Sequence, residues 1–255
     1  MKYAIVITLF LITYSSIVFA QGDIDDEKRA LIRNERTFHL SLNSNGWGGG
    51  FAYGKMVNIY RKKIYSVELV TIKDAKELKI NNPYQPEFHR FIYGKNNVFY
   101  NFRFGYGHLF KLYDKKDKGG IEVRWFYNAG PLLGVLKPVY YVTGVDPYTT
   151  EKFNSSLHTA SSILGGASYF KGFDELSVVP GAFVKVGTSF EFSKKDLAIN
   201  ALEGGITLDL FPKKIDLMAN NKNQFYFLAV FVSYRFGKII NPRTIPQKPA
   251  LETEK

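Results

Sequence analysis

The segment from residue 224 to residue 236 constrains the fold of this chain more than any other part of its sequence. It is thirteen residues long, QFYFLAVFVSYRF, which is close to the length of a tilted membrane-spanning strand and too short for a spanning helix. One alternate face runs from Tyr226 to Phe236, is wholly apolar and has aromatic residues at both ends, whereas the other face becomes polar at Ser233 and Arg235. This pattern is typical of a strand in the wall of a membrane β-barrel.

Seven further segments show the same alternation of apolar and polar residues, which is typical of β-strands. Lys55 interrupts the apolar face of the second segment, so either a bulge shifts the register there or its faces are assigned wrongly. The sequence predicts an all-β fold, an antiparallel up-and-down transmembrane β-barrel of about eight strands. The other seven strands are predicted to start near residues 38, 48, 65, 98, 121, 182 and 197.

The connections between the predicted strands are alternately tight and long, except for a short first loop at residues 43–46. Membrane barrels have short turns on the periplasmic side and longer loops outside, so this pattern places both termini in the periplasm. Tight basic turns are predicted at residues 61–63, 114–120 and 193–196, and longer loops at residues 73–97, 130–180 and 212–223.

The polar face of the predicted strands indicates which side faces the interior. A secreted barrel of the lipocalin type, which remains the alternative, would have an apolar interior and a densely charged exterior. Here the polar face has small residues and isolated charges of both signs, as expected for a narrow interior filled by side chains. Buried charges must pair because a lone buried ion is costly. The predicted lumen charge network consists of Glu68, Arg103, Glu122, Arg124, Lys185, Glu191, Glu203, Asp209 and Arg235.

The first twenty residues predict an export signal. Lys2 is followed by an apolar run and by the small-residue cleavage site Val18-Phe19-Ala20, so we expect cleavage after Ala20; a retained signal anchor is the alternative. The chain has no cysteine, which excludes disulfides and a lipoprotein anchor. The predicted organisation is a signal peptide at 1–20, a periplasmic lead-in at 21–36, the barrel at 37–236 and a periplasmic tail at 237–255.

The formal net charge of +11 would suggest nucleic acid as a partner in a cytoplasmic protein. The basic residues are scattered among turns, and export removes most nucleic-acid partners. Phosphate-rich lipid head groups are therefore the expected counter-charge, and we expect outer-membrane lipids and no nucleic acid as partners.

The cleavage site, the alternating strands and the end Tyr234-Arg235-Phe236 together resemble small bacterial outer-membrane β-barrel proteins of the eight-stranded type. The resemblance covers most of the mature chain and implies location in the outer membrane of a Gram-negative envelope. In that family the terminal aromatic residue commonly closes the chain, whereas here nineteen residues follow Phe236. The aromatic residues expected at the membrane interfaces are Trp47, Trp125, Tyr226, Tyr234 and Phe236.

The sequence contains no recognisable catalytic constellation or metal site. Its four histidines show no metal-ligand spacing, so we expect no metal, no cofactor and no catalytic residue. A lipid-modifying enzyme is the alternative, and His158 with Ser155 or Ser156 is the only pairing near enough in sequence to serve it.

The two longest loops carry many aromatic residues, and exposed aromatic residues are common at protein interfaces. The sequence therefore predicts a non-enzymatic protein that acts through these loops, as a structural or accessory subunit of an envelope assembly or secretion complex with other outer-membrane proteins. The alternative is that the rings only pack the loops onto the barrel rim. The candidate contact residues are Tyr84, Phe88, Tyr93, Tyr148, Phe153 and Tyr169.

Overall fold

The structure is a computed structural model that describes residues 32–84, 87–115, 119–144, 147–195, 197–219 and 223–243. The predicted signal peptide, most of the predicted lead-in and the last twelve residues of the predicted tail lie outside the described residues. No helix in the described part of the chain is long and apolar enough to cross a membrane.

The described residues form thirteen strands. In chain order these are β1 (Ile32–Asn43), β2 (Gly46–Asn58), β3 (Arg61–Ile72), β4 (Lys79–Ile80), β5 (Phe91–Ile92), β6 (Asn97–Tyr113), β7 (Glu122–Pro138), β8 (Tyr140–Thr143), β9 (Thr149–Lys152), β10 (Ile163–Gly166), β11 (Ser177–Glu191), β12 (Ala198–Ile215) and β13 (Gln224–Arg243).

Eight of these strands form a closed barrel. Each barrel strand pairs with the next one along the chain, in the order β1, β2, β3, β6, β7, β11, β12 and β13, and β13 closes the ring by pairing antiparallel with β1. The predicted all-β, antiparallel up-and-down barrel of eight strands is therefore confirmed. The five remaining strands lie in the two long loops, where β8, β9 and β10 form one small sheet and β4 pairs with β5.

The alternation of residue types sets the two faces of the wall. In β13, Phe231 and Ser233 are 1% exposed, whereas Val230 and Val232 are 60% and 51% exposed. Side chains in a strand point alternately to opposite faces, so the apolar residues outside and the polar residues inside follow directly from the sequence pattern.

Lys55 lies on the outward face of β2, and the faces of that strand were assigned correctly there. It pairs in register with Lys63, and the register of β2 against β3 shifts only between Met56 and Asn58. Lys55 interrupts the apolar face because it stands near the end of the strand that carries the short turns. This is the predicted periplasmic end and is called the periplasmic end below.

The predicted start of the longest loop at residue 130 is wrong. β7 continues through Gly130 and Pro131 to Pro138, and β11 begins at Ser177, so the loop comprises residues 139–176. Proline in a central strand argues against a strand because it lacks the N–H that the ladder needs. β7 tolerates Pro131 through a local gap in pairing, where its register against β6 passes from Arg103–Leu132 to Tyr106–Ala129.

The predicted barrel boundaries of 37 and 236 are too narrow. β1 begins at Ile32 and β13 ends at Arg243, with Thr37 paired to Gly237 and Glu35 paired to Ile239. The first seven residues of the predicted tail therefore belong to the wall. Likewise, residues 61–63 lie in β3, and the first periplasmic turn is formed by residues 59–60.

Candidate functional site

Apolar side chains fill the interior at the end of the barrel that carries the long loops. Most of them come from the loop-side ends of β3, β6, β7, β11 and β12, and they bury one another from neighbouring strands. This outer plug consists of Ile72, Phe99, Leu132, Val179, Phe183, Phe211, Ile215, Leu217 and Met218.

A network of buried charges lies in the interior of the barrel. Glu68 accepts a 2.9 Å hydrogen bond from Lys185 and lies 3.4 Å from His39 and 3.6 Å from Arg103. Arg103 also donates a 2.7 Å hydrogen bond to Asp209. Each of these residues is at most 3% exposed, so each charge depends on its partners for compensation.

A second network lies towards the periplasmic end. Arg124 donates through Nε to Glu122 at 2.5 Å and through Nη2 to Glu191, and its Nη1 lies 3.7 Å from Glu35. Lys62 donates to the same Glu35. One guanidinium thus connects three carboxylates at the inner edge of a cavity of about 340 Å³ at the periplasmic mouth.

Arg235 and Glu203 form a third pair inside the barrel. Arg235 donates to the two carboxylate oxygens of Glu203 at 2.5 and 3.0 Å and to the hydroxyl of Thr37 at 2.8 Å. A bidentate arginine–carboxylate pair is among the strongest hydrogen-bonded arrangements available to side chains. All nine predicted lumen charges thus lie inside the barrel and have charged partners.

Sequence reasoning missed several members of these networks, among them Glu35 and Lys62. Glu35 was placed in the lead-in and Lys62 in a turn. The signal was available in both cases: Glu35 stands two residues before Thr37 on the inward face of β1, and Lys62 stands two residues before Ile64 on the inward face of β3.

The outer wall is apolar and rich in aromatic side chains. Trp47 and Tyr226 are exposed near the loop-side ends of their strands, whereas Trp125, Tyr234 and Phe236 are exposed nearer the periplasmic end. The predicted interface residues therefore lie towards both ends of the outward face. Phe236 also stacks on Tyr234, with 6.1 Å between the ring centroids.

An apolar wall around a charged, filled interior is stable only when the wall faces lipid. The lipocalin-like alternative, which requires an apolar interior, is therefore wrong. The protein is an integral β-barrel of the outer membrane.

The two long loops form a cap with its own apolar core. Phe91, Tyr141 and Ile163 are buried together, and the Tyr141 hydroxyl shares its one proton between the carbonyl oxygens of Ile92 at 2.7 Å and Lys95 at 2.8 Å. Burial raises the pKa of Tyr141 above its ordinary value. The cap joins residues from both loops, because Tyr141 belongs to one loop and its two acceptors to the other.

Several predicted contact residues are used inside the cap. Phe88 packs edge-on against Tyr148 at 5.5 Å between centroids, and Tyr93 packs against Phe153 at 5.1 Å. For Phe88, Tyr93 and Phe153 the packing alternative describes what the structure contains, and contact with a partner stays a prediction.

Other aromatic side chains of the cap face outwards. Tyr84 is 79% exposed and Phe170 is 80% exposed. Phe170 contacts the exposed rings of Tyr169 and Phe173, and Lys137 holds this segment by donating to the Tyr169 carbonyl oxygen at 2.9 Å. Sequence reasoning missed Phe170, because nothing in the local pattern distinguishes an exposed ring in a loop from a packed one.

The histidine and serines considered for catalysis do not come together. His158 is buried and accepts a hydrogen bond from the Asn154 backbone N–H at Nδ1, while its Nε2 lies 3.5 Å from Glu151. Ser155 and Ser156 are exposed and have no hydrogen bond to His158 in the described part of the chain. Within the same residues, no group of three or more His, Asp or Glu side chains is placed to hold a metal ion.

No protein-family model and no curated protein matches the sequence. Among solved structures, the N-terminal β-barrel domain of Pseudomonas aeruginosa OprF is 6% identical, with a TM-score of 0.36, over 83% of this chain and 99% of that chain. Ail, the attachment invasion locus protein of Yersinia pestis, is 7% identical, with a TM-score of 0.39, over 83% and 99%. Neisserial surface protein A is 11% identical, with a TM-score of 0.32, over 82% and 96%. At identities and TM-scores this low, no role is transferred from these proteins to this chain. The assignment as a membrane β-barrel rests on the strand topology of this chain and on the apolar outer and charged inner faces of its wall.

Proposed function

We propose that this protein works by contact, as a non-enzymatic structural or accessory subunit of an envelope assembly or secretion complex, through its long loops. The observation that carries the proposal is the cap, in which a packed core holds Tyr84 and Phe170 about 80% exposed to solvent. Exposed aromatic side chains on a rigid support are typical of protein interfaces, because little conformational entropy is lost when they are buried.

The filled interior supports a role in contact over one in transport. The outer plug occupies the loop-side end of the lumen, and the charge networks occupy much of the remainder. A barrel of eight strands has only enough interior for its own side chains. We therefore expect no large, stable conductance steps in planar bilayers, and we expect the purified protein to cause no hydrolysis or acyl transfer on phospholipid or lipopolysaccharide.

The proposal is tested by purifying tagged protein from native membranes and comparing the wild type with Tyr84→Ser/Phe170→Ser. Both side chains lie on the surface of the cap, so the variant should keep its barrel and show the heat-dependent gel migration of a folded barrel. We expect the co-purified outer-membrane proteins to be lost from this variant.

The matched control is Tyr113→Ser, which removes an aromatic side chain that is 69% exposed at the opposite end of the barrel. It should retain the same partners as the wild type. A wild-type protein that purifies alone, or equal partner loss in both variants, would contradict the proposal.

A further inference from the structure

Five basic side chains lie at outward positions near the periplasmic ends of four neighbouring strands. They are Lys238 in β13, Arg36 in β1, Lys55 in β2, and Arg61 and Lys63 in β3. The pairing of the strands brings them side by side, since Arg36 pairs with Lys238 and Lys55 pairs with Lys63. This group, the basic sector, lies on the outer wall, separate from the charge networks of the lumen.

No acidic side chain of the described residues balances the basic sector. Among the described residues, none of the ion pairs uses Arg36, Lys55 or Lys63, and the outward positions of these strands near the periplasmic end hold no Asp or Glu. Like charges placed directly opposite each other on paired strands are destabilising. The opposed pair Lys55–Lys63 therefore calls for an anion beyond those that the described residues supply.

On the wall itself, the outward basic side chains near this end are confined to one side of the barrel, whereas Lys194 and Lys195 lie in a turn. On β7, β11 and β12 the outward positions at the same end hold Trp125, Tyr127, Thr188, Phe190 and Leu202, all uncharged. A general attraction to the membrane surface would be served equally well by charges spread around the ring. Their restriction to one sector indicates a localised site.

Arg61 is held in place by a hydrogen-bonded chain on the wall. Its Nη2 lies 2.7 Å from Nε2 of His108, whose Nδ1 lies 2.7 Å from the hydroxyl of Tyr127. A guanidinium can only donate, so Nε2 accepts, and the neutral imidazole has its proton on Nδ1, which donates to Tyr127. This chain orients the Arg61 guanidinium beside Lys63 without adding an anion.

An apolar groove of about 390 Å³ lies directly on the bilayer side of the basic sector. Its lining includes Tyr53, Tyr65 and Tyr106, and the small outward residues Ala129 and Pro131 leave space beside these rings. Tyr53 pairs with Tyr65, just as Lys55 pairs with Lys63. On each strand the tyrosine lies two residues from the lysine, on the side towards the middle of the bilayer. Two residues along a strand span about 7 Å, so one molecule can reach both features.

We propose that the basic sector and this groove form a binding site for one anionic phospholipid of the periplasmic leaflet. The phosphate group is paired with Lys55 and Lys63, and Arg61 and Arg36 stand beside them. One acyl chain lies in the groove, over Ala129 and Pro131 and against the contacting rings of Tyr65 and Tyr106. A lipid is the occupant because the groove opens to the bilayer and the cations stand where a lipid phosphate would lie. A soluble anion would leave the apolar groove unused.

The test uses the purified full-length protein and native mass spectrometry with dipalmitoyl phosphatidylglycerol and with phosphatidylcholine of the same chains. We expect the wild type to retain the anionic lipid in preference. Lys55→Gln/Lys63→Gln should weaken that retention about tenfold or more, since each basic residue near a lipid surface contributes to binding of anionic lipid. The matched control Lys194→Gln/Lys195→Gln removes two exposed lysines from the last periplasmic turn and should change nothing.

The groove is tested by Ala129→Leu, which places a larger side chain in the space beside Tyr106. It should weaken retention of the dipalmitoyl lipid and leave binding of the dihexanoyl lipid unchanged, while Thr188→Leu on the uncharged side of the wall should alter neither. Excess inorganic phosphate should not displace the long-chain lipid.

Each variant is first checked for heat-dependent gel migration, and the single variants Lys55→Gln and Lys63→Gln replace the double variant if it does not fold. Equal retention of both head groups by the wild type would overturn the proposal. The proposal would also be overturned if the two double lysine variants lost the anionic lipid equally, or if Ala129→Leu retained the dipalmitoyl lipid as well as the wild type does. Full displacement of the long-chain lipid by inorganic phosphate would overturn it too.

Discussion

Lys185 on β11 reaches across the lumen to donate a 2.9 Å hydrogen bond to Glu68 on β3, and both side chains are 3% exposed. In the ring, two strands, β7 and β6, stand between β11 and β3. The bond therefore joins parts of the wall that no backbone hydrogen bond connects. The interior charges thus have a structural consequence, because they fix the barrel cross-section as well as fill it.

The first prediction concerns this pair. Lys185→Met should lower the free energy of unfolding by roughly 3–5 kcal/mol, because it leaves Glu68 with less compensation in a buried site. Lys185→Met/Glu68→Gln should cost less than the sum of the two single changes, since the orphaned charge is removed with its partner. Urea unfolding of refolded protein in lipid vesicles measures all four members of the cycle. Additive costs would show that the two groups act independently.

The second prediction concerns Arg124, which connects Glu122, Glu191 and Glu35 at the periplasmic end. Arg124→Ala leaves these carboxylates close together without their common cation, so we expect a loss of roughly 3–5 kcal/mol in the free energy of unfolding. The control Arg90→Ala removes an exposed arginine from the cap and should change the unfolding midpoint little. An unchanged midpoint for Arg124→Ala would mean that the network is hydrated and weak.

Most of the fold could be predicted from the alternation of apolar and polar residues, because this alternation is a local property of each strand and is retained in the barrel. Val230 and Phe231 are adjacent in sequence and are 60% and 1% exposed, and the period of two alone places them on opposite faces. Prediction failed where a local rule gave way to pairing with a neighbouring strand. A proline usually ends a strand, but β7 tolerates Pro131. Similarly, β13 continues through Gly237 because Gly237 pairs with Thr37 in β1.

The interior charges were foreseeable as a set, but their partners were not. Nothing near Glu68 in the sequence indicates Lys185, 117 residues away, because the partner depends on the stagger of the strands around the ring. The same holds for the cap, where Phe88 meets Tyr148 across two loops. Whether a loop aromatic residue packs or faces solvent is a tertiary property that no local pattern encodes.

The third prediction concerns the cap. Tyr141→Phe removes the hydroxyl donor from the Lys95 carbonyl oxygen and leaves the Ile92 carbonyl oxygen only the 3.3 Å hydrogen bond from the Lys95 N–H, which should cost about 1–3 kcal/mol in local stability. Hydrogen exchange at residues 91–96 should accelerate accordingly, while Tyr148→Phe, an exposed tyrosine with no hydrogen bond at its hydroxyl among the described residues, should have no effect. Unchanged exchange in Tyr141→Phe would show that this hydroxyl does not hold the loops together.

The stability of the cap should also depend on pH through Tyr141. Burial raises the pKa of this hydroxyl in the folded cap above its ordinary value of about 10. As pH rises past that ordinary value, the open form loses its proton first and is favoured, so stability falls. Protection of the amides of residues 91–96, which compares their exchange rate with that of the unfolded chain at the same pH, should fall above about pH 10 in the wild type, and this fall should be absent from Tyr141→Phe. An identical pH response in both proteins would assign it to other groups.

The last prediction tests the lipid-facing wall itself. Val230 lies near the middle of the apolar face of β13, between Tyr226 and Phe236, and is 60% exposed. In water an arginine at such a position would be tolerated, whereas near the middle of a bilayer it costs about 2–4 kcal/mol. Val230→Arg should therefore lower the free energy of unfolding in vesicles by that amount. Ile59→Arg, in the first periplasmic turn, should cost only about 0–1 kcal/mol because it lies at the membrane surface. Equal and negligible costs for the two substitutions would mean that the β13 face does not contact the hydrocarbon core.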